Sequence, residues 1–401
     1  MSLNKNNVFS YLLGCLFFLL MACDIQDNEI KPGLSFTRIY NTHSFDETFY
    51  PLDVVQTSDS GYFILAANES WTPYFLKTDQ TGAFEWDQKL PEPYVNVMDA
   101  FYQVEGQLFI VCMDELSLNT NILRISTEGG EPELVFSSND ITYPLSASLT
   151  PDGGWLIQSF ERESRKTRIS KLTSAFSFEW QQDFDILEDK EEEVIKHLTR
   201  SGKRLPFFTG HSQGGGNSGF YYFNGFNNFT ISLTFINTND GSALGVVNGF
   251  RDLGYIKAAL PLSNGSFALA KHSYGDNYLL PQAQVATNNI LSSNDLESSS
   301  FPEIDARAPV KIINTQIINK SVSLYATHTK SNQVILYAYD SEDGSLQDVM
   351  YLGENAPYEI GNIKRTSDGG LIVLGKTFVA DRFPRLCLFK LTREEIESMV
   401  R

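Results

Sequence analysis

Tyrosines and histidines at recurring positions are the side chains of this sequence most suited to binding chemistry. Five tyrosines stand at the start of the predicted innermost strands of a repeated unit, namely Tyr50, Tyr94, Tyr143, Tyr255 and Tyr358. Three histidines stand at the predicted ends of second strands, namely His211, His272 and His328. If both positions meet on one face, aromatic rings and polar groups line a surface suited to a sugar or a peptide. The alternative is that the tyrosines pack between repeats and the histidines form ordinary hydrogen bonds.

The three histidines also raise the question of a metal site. Zinc needs ligand atoms about 2 Å from one ion, whereas these histidines fall in three different repeats. The sequence therefore predicts no metal ion, and nothing in it indicates a cofactor. We find no Gly-x-Ser-x-Gly motif, metalloprotease helix or convincing pair of catalytic carboxylates, so no catalytic residue is assigned and a binding role is favoured over an enzymatic one.

A glycine-rich and aromatic stretch at 210–228 departs from the pattern of the other repeats. We interpret it as an insertion between a second and a third strand, with Tyr221, Tyr222 and Phe226 as further candidates for ligand binding. The stretch lacks the Lys-Ser/Thr ending of a phosphate-binding loop, which argues against nucleotide binding.

The element that must position these side chains is a polar turn followed by an apolar strand. It occurs at 57–66, 150–157 and 366–374, with a looser copy at 262–270. The Asp or Asn and the Gly of each copy suit a tight hairpin, and the apolar run suits a strand buried on both faces. A third strand, a second turn and a fourth strand complete each unit.

The spacing of these units predicts an all-β fold, a β-propeller with about seven blades of four antiparallel strands. The expected blades cover 45–90, 94–138, 142–184, 193–250, 255–300, 309–353 and 358–392. The last blade lacks a fourth strand and residues 35–40 form a strand without a partner, so we expect the N-terminal strand to close the ring. The propeller would span 34–392, followed by a short helix or tail at 393–401.

The turns contain a Thr-x-Asp-x-Gly pattern around Asp59, Asp152 and Asp368. This pattern is similar to the start of the sialidase Asp-box, but the closing Trp is missing and the motif falls between first and second strands. We therefore expect these aspartates to shape the turn by accepting hydrogen bonds from backbone N–H groups. The charged run at 188–193 is interpreted as a solvated loop.

The start of the chain predicts that the protein is located in the cell envelope. Residues 1–22 carry Lys5 and then an apolar stretch, as a secretory signal peptide does. Residues 20–23, Leu-Met-Ala-Cys, resemble a bacterial lipobox, which implies cleavage before Cys23 and a lipid on its thiol; ordinary secretory cleavage is the alternative. The acidic tether at 23–33 looks like the export signal of surface lipoproteins in Bacteroidetes-type envelopes. That resemblance implies an outer-membrane lipoprotein exposed at the cell surface.

Charge and cysteine content narrow the range of partners. A formal net charge of −18 over 401 residues argues against nucleic-acid binding, which favours a basic face. Cys15 and Cys23 lie in the leader region, while Cys112 and Cys387 fall in strands of different blades, so we expect no disulfide. The expected state outside a complex is a monomer.

Residues 75–86 carry the clearest family resemblance, with the sequence Phe-Leu-Lys-Thr-Asp-Gln-Thr-Gly-Ala-Phe-Glu-Trp. Together with the Thr-Ser-Asp-Gly-Gly turns, this segment resembles the repeats of secreted bacterial propellers of the delta-60 or kelch-like kind. The resemblance implies a fold and not an activity.

Taken together, these features predict a lipid-anchored envelope propeller that binds a glycan or a protein. The alternatives are a scaffold subunit of an envelope complex and a polysaccharide hydrolase or lyase.

Overall fold

Each repeat folds into a small antiparallel sheet, and seven such sheets form a ring. This arrangement confirms the predicted seven-bladed β-propeller. The computed structural model describes residues 33–41, 47–199, 204–212, 219–251, 253–353, 356–378 and 384–401. The predicted signal peptide, Cys23 and the tether as far as residue 32 lie outside the described residues. Among those described, no helix is both long and apolar enough to cross a membrane.

The first strand of each blade is innermost and the following strands lie successively outwards. Ahead of blade one lies the short strand β1 (Phe36–Ile39). Blade one consists of β2 (Phe49–Gln56), β3 (Tyr62–Asn68), β4 (Pro73–Thr78) and β5 (Phe84–Lys89). Blade two consists of β6 (Tyr94–Val95), β7 (Tyr102–Val104), β8 (Gln107–Asp114), β9 (Asn119–Ile125) and β10 (Glu133–Thr142). Blade three consists of β11 (Pro144–Leu149), β12 (Trp155–Glu161), β13 (Lys166–Leu172) and β14 (Phe178–Asp185).

The remaining blades follow the same order. Blade four consists of β15 (Phe208–Ser212), β16 (Phe220–Asn227), β17 (Thr230–Asn237) and β18 (Ala243–Asn248). Blade five consists of β19 (Gly254–Pro261), β20 (Phe267–Ser273) and β21 (Asp276–Ala283), and is followed by β22 (Ile290–Ser292). Blade six consists of β23 (Lys311–Ile317), β24 (Lys320–His328), β25 (Val334–Asp340) and β26 (Leu346–Leu352). Blade seven consists of β27 (Tyr358–Arg365), β28 (Leu371–Phe378) and β29 (Pro384–Leu391). The helices of the described residues are α1 (Glu191–Leu198), α2 (Arg393–Ser398) and one 3-10 turn (Ser293–Asp295).

Two blades depart from four antiparallel strands in a row. The innermost position of blade two is divided between β6 and β7, which pair with opposite ends of β8. Blade five has three strands, because β22 pairs in parallel with β18 of blade four instead of extending its own blade. The segment before β22 ends in Asn288 and Asn289, and Asn is depleted in strands.

The two faces of the ring differ in the chain segments they carry. The turns between first and second strands, such as 57–61, lie on the face that we call the base. Innermost strands begin on the opposite face, which we call the mouth, and second strands end there. Ring closure follows the sequence prediction. The strand β1 pairs antiparallel with β29, from Phe36 opposite Lys390 near the base to Ile39 opposite Cys387 nearer the mouth.

The Thr-x-Asp-x-Gly turns are shaped as predicted. Asp59 accepts from the backbone N–H of Gly61 at 2.9 Å and forms an ion pair with the buried Lys77 at 2.6 Å. Partial burial opposes ionisation, but the hydrogen bond from Lys77 lowers the pKa of Asp59 to about 2. A Cβ atom at position 61 would collide with the carbonyl oxygen of Thr78, so the glycine is required by close backbone approach. The same Asp–Lys pair recurs in blades three and seven.

A fully buried carboxylate, Asp53, joins three blades on the inner wall. It follows a bulge in β2 at the register shift between Pro51 and Asp53. Its oxygens accept from the backbone N–H of Phe101 in blade two at 2.8 Å and from Asn362 Nδ2 in blade seven at 2.7 Å. Lys364 Nζ lies 3.3 Å from Oδ2. Blades seven, one and two are therefore connected through one buried side chain.

Two sequence interpretations are wrong in blade four. The stretch at 210–228 is not an insertion between second and third strands, because β15 and β16 pair antiparallel as the first and second strands of the blade. The glycine-rich residues 213–218 themselves lie outside the described residues. The charged run at 188–193 is not wholly a loop, since Glu191 begins α1 and three glutamates occupy its first turn, where they favour the helix dipole.

Candidate functional site

The mouth of the ring opens into a cavity of about 1060 Å³ that residues of all seven blades line. The starts of the innermost strands form much of the wall, including Tyr50 of blade one and Tyr255 of blade five. Residues 204–207 after α1 and residues 305–310 ahead of blade six also line it. Small-molecule sites commonly measure about 300–1000 Å³, so this cavity has room for a ligand larger than one sugar ring.

Polar side chains of blades one, six and seven form one side of the cavity. Lys376 Nζ pairs with Glu359 Oε2 at 3.0 Å. The same ammonium lies 5.6 Å from the centre of the Tyr50 ring, which is within range of a cation–π contact. Trp71 packs against Tyr50 with ring centres 5.2 Å apart. These contacts fix the Tyr50 ring at the cavity wall.

His328 ends β24 on the same side of the cavity and is buried. Its Nδ1 atom accepts from the backbone N–H of Ile360 at 3.4 Å. Burial lowers the pKa of His328 to about 4, against the opposing influence of Glu359 and Asp305. The imidazole is therefore neutral at neutral pH, with its proton on Nε2.

We expect this buried imidazole to make the propeller less stable in acid. The unfolded chain takes up the proton near pH 6.5 and the folded chain only near pH 4, so the unfolded state binds more protons between these values. The free energy of unfolding should fall by about 3 kcal/mol as the pH drops through that window. Denaturant titrations from pH 7 to pH 4 measure it, and His328→Gln should remove that part of the slope. An unchanged slope in the variant would contradict the assignment.

On the opposite side of the cavity, an arginine fixes the segment that follows α1. Arg204 Nη2 contacts both carboxylate oxygens of Asp99 at 3.0 and 3.1 Å, and Nη1 donates to the carbonyl of His197 at 2.8 Å. The backbone N–H of Leu205 donates to His197 Nδ1 at 2.9 Å. This ion pair ties the segment between blades three and four to blade two.

Blades five and six provide the most basic part of the cavity wall. Lys257 Nζ donates to Asn277 Oδ1 at 2.8 Å and to the carbonyls of Ala306 and Ala308 at 3.0 and 2.5 Å. Arg307 lies between those two carbonyls and Lys311 begins β23 close by in sequence. Within the described parts of the chain, the side chains of Arg307 and Lys311 form no ion pair.

The described residues of the cavity wall carry a charge opposite in sign to that of the chain. Five of them are basic, namely Arg204, Lys257, Arg307, Lys311 and Lys376. Three of them are carboxylates, namely Asp99, Asp305 and Glu359. Over the described residues, the lining therefore has a formal excess of two positive charges, whereas the chain has a net charge of −18. Concave walls of one sign concentrate the field inside a cleft, so the cavity favours anions.

The structure places three of the eight repeated tyrosines and histidines on the cavity wall, namely Tyr50, Tyr255 and His328. The others are not in the lining. Tyr143 packs on Phe160 with ring centres 6.3 Å apart, and Tyr358 packs on Phe389 at 5.1 Å. Tyr94 is half-buried next to the core of blades one and two. These three tyrosines therefore pack against the cores of the blades, which is the alternative interpretation given above.

The histidines do not converge. His272 is buried in β20 and packs on Tyr255 with ring centres 5.2 Å apart. His211 ends a first strand rather than a second one, so it lies at the base, away from the cavity. Among the described residues, no group of three His, Cys, Asp or Glu side chains is placed to hold a metal ion.

The aromatic residues chosen from the glycine-rich stretch are core residues of β16. Tyr221 packs near Trp180, with ring centres 6.4 Å apart. The hydroxyl of Tyr222 donates to the carbonyl of Ala259 at 3.4 Å. Phe226 packs on Phe207, with ring centres 5.7 Å apart. Their side chains are buried within and between blades because β16 is a second strand and not part of an exposed insertion.

Sequence reasoning missed an exposed apolar strip on the mouth. We call it the rim strip, and its residues are Leu187, Phe229, Phe250, Leu253 and Tyr274. Tyr274 is 65% exposed and Phe229 is 55% exposed. The rings of Phe250 and Tyr274 lie 6.0 Å apart. These residues occupy single positions in connecting segments, where no periodic pattern marks them. Only Tyr274 lies close in sequence to one of the repeated histidines, His272.

No protein-family model matches the chain, and no curated protein matches it. Solved structures that are similar to the chain include the following three. A protein of unknown function from Bacteroides caccae is 13% identical with a TM-score of 0.37, over 77% of this chain and 94% of that one. The quinohemoprotein alcohol dehydrogenase ADHIIG from Pseudomonas putida is 10% identical with a TM-score of 0.42, over 86% and 75%. A triple arginine-to-alanine mutant of AofleA from Arthrobotrys oligospora is 8% identical with a TM-score of 0.43, over 89% and 87%. Likenesses at this level carry no argument about activity.

Proposed function

We propose that this protein is a lipid-anchored cell-envelope propeller that binds a glycan, without catalysis, in the cavity at its mouth. The observation that supports this most is the cavity of about 1060 Å³, whose wall combines a fixed tyrosine ring with several charged groups. Sugars present both apolar faces and hydroxyl groups. A site with aromatic rings and a few placed polar groups matches both features.

Tyr50 is the aromatic residue best placed for a sugar to stack on. It is half-buried at the wall, and Trp71 and Lys376 hold it in position. A ring that is already fixed loses little conformational entropy when the ligand binds. The other aromatic residues of the lining include Tyr255 of blade five, Tyr102, Phe207 and Phe208.

Replacing Tyr50 should weaken glycan binding. A glycan array first selects a sugar, and calorimetry then compares variants of the purified protein. We expect Tyr50→Ala to weaken binding roughly tenfold, in line with an aromatic contact worth about 1 kcal/mol beyond its area, and Tyr50→Phe to retain it. Tyr351→Ala removes a partly exposed tyrosine of an outer strand and is the matched control. Equal affinity of Tyr50→Ala and the control would remove Tyr50 from the site.

The lipid anchor is proposed from the sequence around Cys23, and its test is separate from that of the cavity. Cells that express the protein should incorporate labelled palmitate, and Cys23→Ala should abolish incorporation and release the protein from the membrane fraction. Cys15→Ala, which changes a cysteine inside the predicted signal peptide, is the control that should keep the label. Label that persists in Cys23→Ala would reject the anchor at that position.

A scaffold role in an envelope complex is the second candidate. The rim strip favours it, because exposed aromatic and aliphatic side chains in one place are typical of protein contacts. Co-purification of a defined protein partner from detergent extracts that Tyr274→Ser disrupts, with no glycan bound on the array, would favour the scaffold over the glycan-binding role.

A further inference from the structure

We propose that the ligand of the mouth cavity is an anionic glycan whose carboxylate groups are held by Arg307 and Lys311. This inference deepens the proposed function and rests on it. The two residues lie on the blade six side of the cavity, and both line it.

The charges near these two residues are predominantly positive. Among the described residues that line the wall of blades five and six, Lys257, Arg307 and Lys311 are accompanied by one carboxylate, that of Asp305. Asp305 already accepts from the backbone N–H of Arg307 at 2.7 Å. The other two carboxylates of the lining pair with Arg204 and Lys376 on other sides of the cavity. A neutral sugar would leave the positive charge of this wall without a counterion, whereas a carboxylate neutralises it.

The segment that carries Arg307 is held in place on both sides. Lys257 Nζ donates to the carbonyls of Ala306 and Ala308, which flank Arg307. The carbonyl of Asp305 accepts from Asn277 Nδ2 at 2.8 Å, and the Asp305 N–H donates to the carbonyl of His328 at 3.1 Å. The backbone of Arg307 is therefore fixed before a ligand arrives, which reduces the entropy lost on binding. Arginine offers a planar pair of donors that matches a carboxylate.

The net charge of −18 does not prevent an anion from entering. At physiological ionic strength, exposed charges are screened beyond about 8 Å, so the acidic outer surface acts weakly inside the cavity. The walls of the cavity exclude part of the solvent, and the field of the basic side chains is stronger there. An acidic exterior with a basic cavity gives local selectivity for the anionic part of a ligand.

The experiment compares three oligosaccharides by calorimetry with the purified, lipid-bearing protein in detergent. They are trigalacturonate, the uncharged galactose trisaccharide and a sulfated galactose trisaccharide. The test variant is Arg307→Gln combined with Lys311→Gln. The control, Lys166→Gln combined with Lys320→Gln, removes the same number of positive charges from positions that do not line the cavity. Melting temperatures of both variants check that they fold.

We expect trigalacturonate to bind at least about tenfold more tightly than the uncharged trisaccharide, as charge-assisted hydrogen bonds predict. The test variant should lose that preference and the control should keep it. Equal affinity for the charged and uncharged sugars, or an unchanged preference in the test variant, would overturn the inference while leaving glycan binding in place. Tighter binding of the sulfated sugar would overturn the carboxylate assignment. Absence of binding to every sugar on an array would reject the proposed function itself.

Discussion

Removing residues 34–42 is expected to lower the melting temperature of the propeller on the order of 10 °C. The deletion takes away β1, which is the fourth strand of blade seven. Phe36 and Tyr40 are 7% and 6% exposed in the ring, and each such side chain contributes roughly 1.5–3 kcal/mol when buried. The Tyr40 hydroxyl also donates to the carbonyl of Gly82 in blade one at 2.9 Å. The strand thus joins the last blade to the first, and without it β29 becomes an exposed edge.

Thermal unfolding followed by circular dichroism measures this effect. Deletion of residues 24–32, which precede the propeller, is the control and should leave the melting temperature unchanged. If the protein that lacks residues 34–42 has the same melting temperature as the intact protein, the pairing of β1 with β29 does not hold the ring together.

Replacing Asp53 is expected to destabilise the ring by about 3–5 kcal/mol, because Asp53 accepts two hydrogen bonds from neighbouring blades and a hydrogen bond to a charged group contributes roughly 1.5–3 kcal/mol. In Asp53→Ala, Lys364, the amide of Asn362 and the N–H of Phe101 lose their shared acceptor. Lys364 and Asn362 belong to blade seven and Phe101 belongs to blade two. The replacement should therefore weaken both interfaces of blade one.

Urea unfolding of Asp53→Ala measures this loss, and Asp348→Ala is the matched control. Asp348 is an exposed aspartate on β26, so its replacement should change the free energy of unfolding by less than about 0.5 kcal/mol. If both variants unfold at the same urea concentration, Asp53 does not act as a link between blades.

The fold could be predicted because its signal is local and repeated. Each turn such as 57–61 combines Asp, a residue with positive φ and a glycine that the next strand approaches closely, and each is followed by an apolar strand. Closure by β1 could also be predicted, because blade seven has only three strands of its own and residues 36–39 have no other partner. In blade four only the first two strands were assigned wrongly, because the segment with α1 delays the first strand and β16, the second strand, was interpreted as part of an insertion.

The site could be predicted only in part, since its residues come from positions without a shared pattern. Tyr50 and Tyr255 begin innermost strands, and the repeat marks them. Arg307 lies in a connecting segment whose course depends on Lys257 and Asn277. Lys376 lies inside β28, where sequence gives no reason to separate it from Lys77 or Lys390, which instead pair with turn aspartates. Only the three-dimensional ring distinguishes these lysines.

Both ends of the propeller leave from the base. The chain reaches β1 at Phe36 on that face, and α2 follows Leu391, where β29 ends beside the base turn of blade seven. A sensor chip or an affinity bead that holds the protein by either terminus would therefore leave the open side turned toward the sample. Fusion partners attached at these positions should not obstruct access for soluble molecules.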